Sequence, residues 1–553
     1  MEREFPVVIV GGGPVGMTVA AELGLRQVPC LLLEQNDGTN HHPRANVVSP
    51  RSMEHFRRWG IAEDVIAAGL PIDYPTDIVF TTRLAGHEIL RFSFPSIDQA
   101  RNADDTLLAQ YPEIAHSPYF KTAVGQNFIE PVLRRHLEGL PSVATRFNTR
   151  CEAVSQDQDG VTLSVVDTRS GHQDSVRARY VVACDGARST LRQALNIPMI
   201  GKSSLGQNVG VYIRAPDLLK QAGKGSCILY WTLAPDCTGV FIAIDGRQYY
   251  TMQRHILEDE DPTDFDAAAA VRRAIGADID FEIISIQPWV PRQLVADRYR
   301  EGRVFLAGDS AHLVSPTGGF GMNTGIGDGV DIGWKLAAVI EGWGGETILD
   351  SYDIERRPVA WRNALEATDN RSALHSSAVV SPAIEEDTSQ GAELRAALAE
   401  KLKQQRKHFA AIGIHLGYRY EASPLCIPDG TPAPPDDPQH YVPVARPGSR
   451  APHVWLRPGR SILDHFGHGF TLLRFGTDAP DPAPLIHAAQ QAGLPLRVET
   501  IEHAAAAALY GARLVLVRPD GHTAWRSDTL PRNPADIIGT VRGALAQAAS
   551  RVA

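Results

Sequence analysis

The feature that most restricts this chain is Gly11-Gly-Gly13-Pro-Val-Gly16, set between the apolar run Pro6-Val-Val-Ile-Val10 and residues 17–27 of helical composition. A first glycine allows a tight turn, a second lets a pyrophosphate approach the backbone, and a third lets helix pack on strand. Phosphates would then lie at a helix N-terminus, where free amides and the dipole favour negative charge. Cys30-Leu-Leu-Leu33 reads as a second buried strand ending at Glu34, 18 residues past Gly16. An acid there accepts hydrogen bonds from both adenosine ribose hydroxyls and repels a 2′-phosphate. Strand, helix and strand make one βαβ unit of about 30 residues. The pattern specifies a dinucleotide site in an α/β domain and does not by itself separate FAD from NAD.

The same segment, Val7 to Leu25, is nearly long enough to span a bilayer. It is interrupted by Gly11, Gly12, Gly13 and Gly16, a proline and Glu22, and no basic leader region precedes it. Neither a membrane span nor a secretory signal is expected, and the expected location is the cytoplasm. With 43% hydrophobic and 21% charged residues the chain can bury a core, which excludes a disordered or fibrous protein. Its net charge of −10 gives no electrostatic reason to expect nucleic acid as a partner. The six cysteines are scattered without a C-x-x-C pair, so neither a metal centre nor a dithiol redox site is expected.

A second cluster argues for flavin. Arg303-Val-Phe-Leu-Ala-Gly-Asp309 is a strand ending in Gly-Asp, followed by Pro316-Thr-Gly-Gly-Phe-Gly-Met-Asn323 and then a helix. Asp309 at a strand end can bind ribityl hydroxyls, which NAD lacks. A glycine-rich turn opening a helix presents amides to the electron-rich edge of a reduced flavin. A third piece, Cys184-Asp185-Gly186-Ala-Arg-Ser189, also follows a strand.

Together these pieces resemble the group A flavoprotein aromatic hydroxylases, the para-hydroxybenzoate hydroxylase-like family. Pro43-Arg-Ala45, Gln126 and the stretch Tyr352 to Pro358 fit it as well, and the resemblance covers roughly residues 5 to 370. It implies that Gly11, Gly13, Gly16, Glu34, Arg44, Gln126, Asp309 and the loop Gly321, Met322, Asn323 hold non-covalent FAD. It places Asp185 near the pyrophosphate and the nicotinamide path. The family more often has glutamine where this chain has Phe320, and alanine where Gly329 stands. The length and tail are most similar to the dichlorophenol and polyketide hydroxylase branch, whose third domain is thioredoxin-like.

The implied activity is an NADH- or NADPH-dependent monooxygenase that hydroxylates a phenolic or polycyclic aromatic substrate through a C4a-hydroperoxyflavin. Only one nucleotide fingerprint is present, so the nicotinamide would bind transiently. The resemblance places Asn46 near the flavin ring, where related phenol hydroxylases carry an acid, and Pro316 could offer a carbonyl beside the reacting carbon. Tyr212, Tyr230, Gln253 and Trp289, on expected strands, and Phe320 are the candidate substrate-binding residues. His312 beside Asp309 reads as structural. Alternatives are Baeyer–Villiger insertion or epoxidation, a flavin dehydrogenase or reductase, and a non-enzymatic flavin carrier. Expected partners are a small aromatic substrate and O2, with neither nucleic acid nor membrane, in a monomer or homodimer.

The expected architecture is a Rossmann-like FAD-binding domain beginning in 1–200 and an antiparallel β-sheet substrate lobe over 201–295. A return to the FAD domain with long helices follows over 296–425, then a linker over 426–449. A thioredoxin-like domain occupies 450–553. The last cysteine is Cys426, so that domain has no thiol for disulfide exchange.

Overall fold

The computed structural model describes residues 4–256, 260, 265–377 and 380–545. Its first lobe is built on a sheet in which Val304–Leu306, Gln173–Ala183, Glu4–Val10, Cys30–Leu33 and Val143–Arg146 lie side by side. All four pairings are parallel. Val7, Val8 and Ile9 are fully buried because both faces of the sheet are covered, which is why these strands are continuous apolar runs. The helix Pro14–Gly24 packs on the helix Gly321–Ile340. A Cβ at Gly329 would lie 2.7 Å from Thr18 Cγ2, and one at Gly333 2.5 Å from Glu22 Cβ, so small residues set this close helix contact.

The second lobe is a seven-stranded sheet. Its order is Glu282–Trp289, Gln207–Arg214, Tyr249–Ile256, Cys237–Ala243, Leu229–Ala234, Ile78–Thr81 and Glu88–Phe92. The last two strands come from within 1–200, the span read from sequence as flavin domain. Ile78–Thr81 pairs in parallel with Leu229–Ala234, a long-range contact that no local pattern encodes. The Asp245-Gly246 turn closes a hairpin: Asp245 Oδ1 accepts the amides of Arg247, Gln248 and Tyr249, and Gly246 has φ +70°.

Two long helices follow, Ser351–Ser377 and Ser389–Lys403, the second packed on Glu88–Phe92. The tail has a four-stranded sheet in the order Leu496–Ile501, Phe470–Phe475, Leu514–Val517, Thr523–Ser527. Its first pair is parallel and the other two are antiparallel. Helices Ala483–Gln491, Ala504–Tyr510 and Pro534–Val541 complete the thioredoxin-like βαβαββα order.

The tail is bound to the flavin domain by charge. Arg57 donates to Asp464 at 2.6 and 2.8 Å, Arg26 to the His468 carbonyl at 3.3 Å, and Arg450 Nε to Glu54 at 2.9 Å. Arg51 also reaches the Asp520 carbonyl. Asp331, Glu355 and Asp520 converge on Lys335 and Arg518, which between them pair with all three acids.

Candidate flavin and substrate site

Gly11, Gly13 and Gly16 do three different things. Gly11 has φ +110°, and a Cβ there would lie 2.2 Å from the Cys184 carbonyl oxygen. A Cβ on Gly16 would sit 1.9 Å from the Gly11 carbonyl oxygen. At Gly13, by contrast, no atom lies within 4 Å of the place a Cβ would take. The first two glycines let protein pack on protein, whereas the third faces open space beside a helix start. Glu34 ends its strand with Oε2 accepting the Gly12 amide at 2.8 Å and Oε1 accepting the Asn36 amide at 2.8 Å. The acid thus also stiffens the glycine loop.

The other motif residues gather around the same opening. Asp185 accepts the Leu191 amide on Oδ2 at 3.2 Å, while its buried Oδ1 has no partner among the described residues. Burial pushes its carboxyl above the ordinary range. Asp309 opens its side chain to the cleft but is surrounded by enough protein that desolvation raises its pKa, against the opposing pull of His312 and Arg44. Arg44 is exposed. Gln126 begins the helix Gln126–Glu138; its amide donates to the Ala45 carbonyl at 2.7 Å and its Nε2 to Glu130 at 2.7 Å.

The flavin loop is positioned by Asn323. Its Oδ1 accepts the Ser49 amide and the Ser52 hydroxyl, both at 2.8 Å, while Nδ2 donates to the Val47 and Gly319 carbonyls. The side chain therefore ties the loop to residues 47–52, and what it leaves for a ligand is its backbone amide. Gly321, Met322 and Asn323 are the first residues of a 20-residue helix, whose initial amides have no intrahelical acceptor. The Pro316 carbonyl accepts the Gly319 amide at 2.9 Å. Gly318 and Gly319, at φ +105° and +72°, make the turn. An open glycine, an unpartnered buried carboxylate oxygen, a cleft-facing acid and free helix amides fit the pyrophosphate, ribityl chain and ring edge of FAD.

His312 is fully buried, with Nε2 2.7 Å from Asp328 Oδ2. Asp328 in turn accepts Arg356 Nε at 2.8 Å and the Gly308 amide at 3.1 Å. This network braces the strand end that carries Asp309, as a structural histidine should.

The candidate substrate residues divide by face. Gly210 pairs with Gln253 and Gln287, Tyr212 with Thr251 and Ser285, and Asn208 with Trp289, so Tyr212, Gln253 and Trp289 share one face of the sheet. Trp289 Nε1 donates to Gln253 Oε1 at 2.9 Å. Tyr230 is on the opposite face: it pairs with Phe241, packs in the apolar core and donates its hydroxyl to the Gly225 carbonyl at 2.6 Å. Its neighbour Trp231 takes the Gln253 side instead, and its buried Nε1 has no partner among the described residues. Phe320 is buried against Ala367, Ala411 and Ile414, edge-on to His415, and supports the loop from behind. Asn46 gives its backbone carbonyl to the Val124 amide at 3.1 Å.

Sequence reasoning missed His42. It belongs to the flavin-domain segment, yet its Nδ1 is 2.8 Å from Ser285 Oγ and its ring meets Tyr212 edge-on at 6.2 Å. Burial, and then Arg44, lower its pKa. Its position directly before Pro43-Arg44 was the available signal.

Residues 4–367 match the family described as an FAD binding domain, and residues 444–552 match the aromatic-ring hydroxylase C-terminal family. The chain belongs to the FAD-dependent aromatic-ring hydroxylases. This hydroxylase is 34% identical to the FAD-dependent monooxygenase apdD of Emericella nidulans, over 95% of this chain and 88% of that one. The solved structure of chromopyrrolic acid-soaked RebC with bound 7-carboxy-K252c matches it with TM-score 0.90 and 38% identity, over 99% of this chain and all of the other. A ternary complex of aklavinone-11 hydroxylase with FAD and aklavinone matches with TM-score 0.80 and 30% identity, over 98% and 100%. The hydroxylase is an FAD-dependent monooxygenase. Among its described residues no helix is long and apolar enough to cross a membrane.

Proposed function

We propose that the enzyme hydroxylates a polycyclic phenol, using O2 and electrons from NADH or NADPH, and works in the cytoplasm as a monomer or homodimer with neither nucleic acid nor membrane as a partner. The observation that carries the reading is the placement of the 42–47 segment. His42 bonds Ser285 of the substrate sheet, while the Val47 carbonyl takes Asn323 Nδ2 of the flavin loop. One short segment therefore joins the aromatic face of Tyr212, Trp231 and Trp289 to the loop with free amides.

Gly11, Gly13, Gly16, Glu34, Arg44, Gln126, Asp185, Asp309 and the amides of 321–323 would hold FAD. Bound FAD would accept hydride from the nicotinamide and supply activated oxygen to the ring. The protein's part is to orient and enclose. Asn323 fixes the loop, Phe320 closes the space behind it, and Tyr212, Trp231 and Trp289 offer broad apolar surface with few polar points, as aromatic ligand sites do. The single nucleotide fingerprint supports a transient nicotinamide, and six cysteines with no disulfide between them suit a reducing compartment. A neighbour solved as a ternary complex with FAD and aklavinone supports a large aromatic substrate.

A screen of substrate-stimulated NAD(P)H consumption, with product masses, over monocyclic and polycyclic phenols tests the reading. Products heavier by one oxygen, with the carbon skeleton retained, are expected. Ring-expanded lactones, or oxidation without oxygen gain, would contradict it.

A further inference from the structure

Residues 321–323 lie inside the turn that Thr324 closes. The Thr324 amide and hydroxyl both donate to the Phe320 carbonyl at 2.8 Å. Whatever fixes Thr324 therefore fixes the amides left for the flavin. Two side chains of the helix Ser351–Ser377 do so. Arg356 Nη2 donates to the Thr324 carbonyl at 2.9 Å, and Asn363 Nδ2 to its hydroxyl at 2.8 Å.

Arg356 reaches further. Its Nε donates to Asp328 Oδ1 at 2.8 Å, and Asp328 Oδ2 accepts the amide of Gly308, the residue before Asp309, at 3.1 Å. Its Nη1 donates to the Tyr420 hydroxyl at 3.1 Å. Glycines of the helix Gly321–Ile340 leave room for these approaches. A Cβ on Gly327 would lie 2.7 Å from Arg356 Nη2, and one on Gly325 would lie 3.1 Å from Gly308 Cα. Thr324, Asp328, Arg356 and Tyr420 are all buried. Tyr420 in turn meets the tail: its ring lies 4.2 Å from that of His522, and the Arg518 guanidinium stands 5.0 Å from its centre.

A buried guanidinium needs a carboxylate to offset its desolvation, and Asp328 supplies one. The bonds to Thr324 and Tyr420 add direction, because a planar fork of fixed donors sets the relative places of the groups it meets. We propose that Arg356 is a positioning residue for the cofactor: it holds the flavin-loop turn in register with the strand end of Asp309 and takes its third anchor from Tyr420, so that the docked tail helps to seat FAD. The ribityl chain leaves the flavin ring beside its N1–C2 edge, so the holder of the chain and the holder of the edge must keep their spacing. Loop amides in place stabilise the negative charge of the reduced ring, and a displaced turn makes reduction harder. The tail, which contains no cysteine beyond Cys426, then acts on the flavin through Tyr420 and without thiol exchange.

The test uses full-length variants, read by FAD dissociation constant, flavin midpoint potential and thermal unfolding of the apoprotein. Arg356→Met/Asp328→Asn removes both charges together, so neither is left buried alone. It should unfold close to the wild-type temperature, bind FAD about tenfold more weakly and show a more negative midpoint potential. Arg356→Lys keeps the charge without the planar fork, and should keep stability while losing FAD affinity. Tyr420→Phe keeps the ring against the tail and removes the acceptor; FAD binding should weaken by about threefold. A folded double variant with wild-type affinity and potential would make Arg356 a stability residue only and overturn the proposal. If the double variant does not fold, wild-type values in both Arg356→Lys and Tyr420→Phe would overturn it equally. Wild-type values in Tyr420→Phe alone would overturn the part given to the tail.

Discussion

Arg518, just after the tail strand Leu514–Val517, meets Glu355 of the helix Ser351–Ser377 through two parallel hydrogen bonds of 2.7 and 2.8 Å, and solvent reaches neither side chain. Arg518 also donates to Asp520 at 2.7 Å and Asp331 at 3.2 Å, while Lys335 shares Glu355 and Asp331 at 2.6 Å each. A planar guanidinium suits this bidentate grip. The tail without thiols is thus locked into the flavin domain by buried charge.

Arg518→Met should therefore destabilise the whole protein by about 3–5 kcal/mol, because it strands buried carboxylates without a partner. Chemical denaturation followed by far-UV circular dichroism measures this. A chain truncated near Pro447 should lose stability or solubility in the same way. A loss below about 1 kcal/mol for Arg518→Met would show that the network does not anchor the tail.

Stability should also fall in acid. Burial alone would raise the Glu355 pKa, but Arg518 and Lys335 outweigh it and hold the carboxyl at about 2, below its ordinary value of 4.5. A depressed carboxylate stabilises the fold above its unfolded pKa, and that contribution is lost as pH falls toward the folded one. Glu54 and Glu22 are lowered in the same sense by arginines. The share of stability that Glu355 supplies should be complete above pH 4.5 and be lost between there and pH 2, so the unfolding midpoint should drop less steeply over that range in Glu355→Gln.

Gly13→Ala and Gly16→Ala should separate cofactor binding from folding. Gly13 has φ −72° and ψ −180°, open to alanine, with no protein atom in the way. Its alanine variant should fold with near wild-type stability and lose FAD. At Gly16 a Cβ would strike the Gly11 carbonyl, so that variant should lose stability as well. Equal loss of stability in both would contradict the assignment of Gly13 to the pyrophosphate.

Asp309→Ala should bleach the purified protein. Losing a charge-assisted hydrogen-bond partner of the ribityl hydroxyls should cost about 1.5–3 kcal/mol of FAD affinity. Flavin fluorescence released by acid gives the bound fraction. Unchanged retention would remove Asp309 from the site.

The parts legible in sequence were those written in local pattern. Gly11, Gly13, Gly16, Glu34 and Asp309 each lie at the end of a strand or the start of a helix, where composition alone marks the turn. The absence of cysteine in the tail needed no fold at all. Long-range pairing was not legible. Ile78–Thr81 joins the second sheet through Leu229–Ala234, and His42 meets Ser285 across 243 residues. Strand faces were only half legible: aromatic residues alternate at Tyr230 and Trp231, and period two says that they oppose each other without saying which faces the cleft. Asn323 was placed at the flavin, but its side chain binds Ser49, Ser52, Val47 and Gly319, partners that only the folded chain brings together.

The central claim is that this chain is a monooxygenase, and labelled dioxygen tests it most directly. With FAD, NAD(P)H, 18O2 and a phenol that stimulates nicotinamide oxidation, product mass spectrometry should show one labelled oxygen atom added to the intact carbon skeleton. Label arriving from H218O instead, or a product without added oxygen, would contradict it.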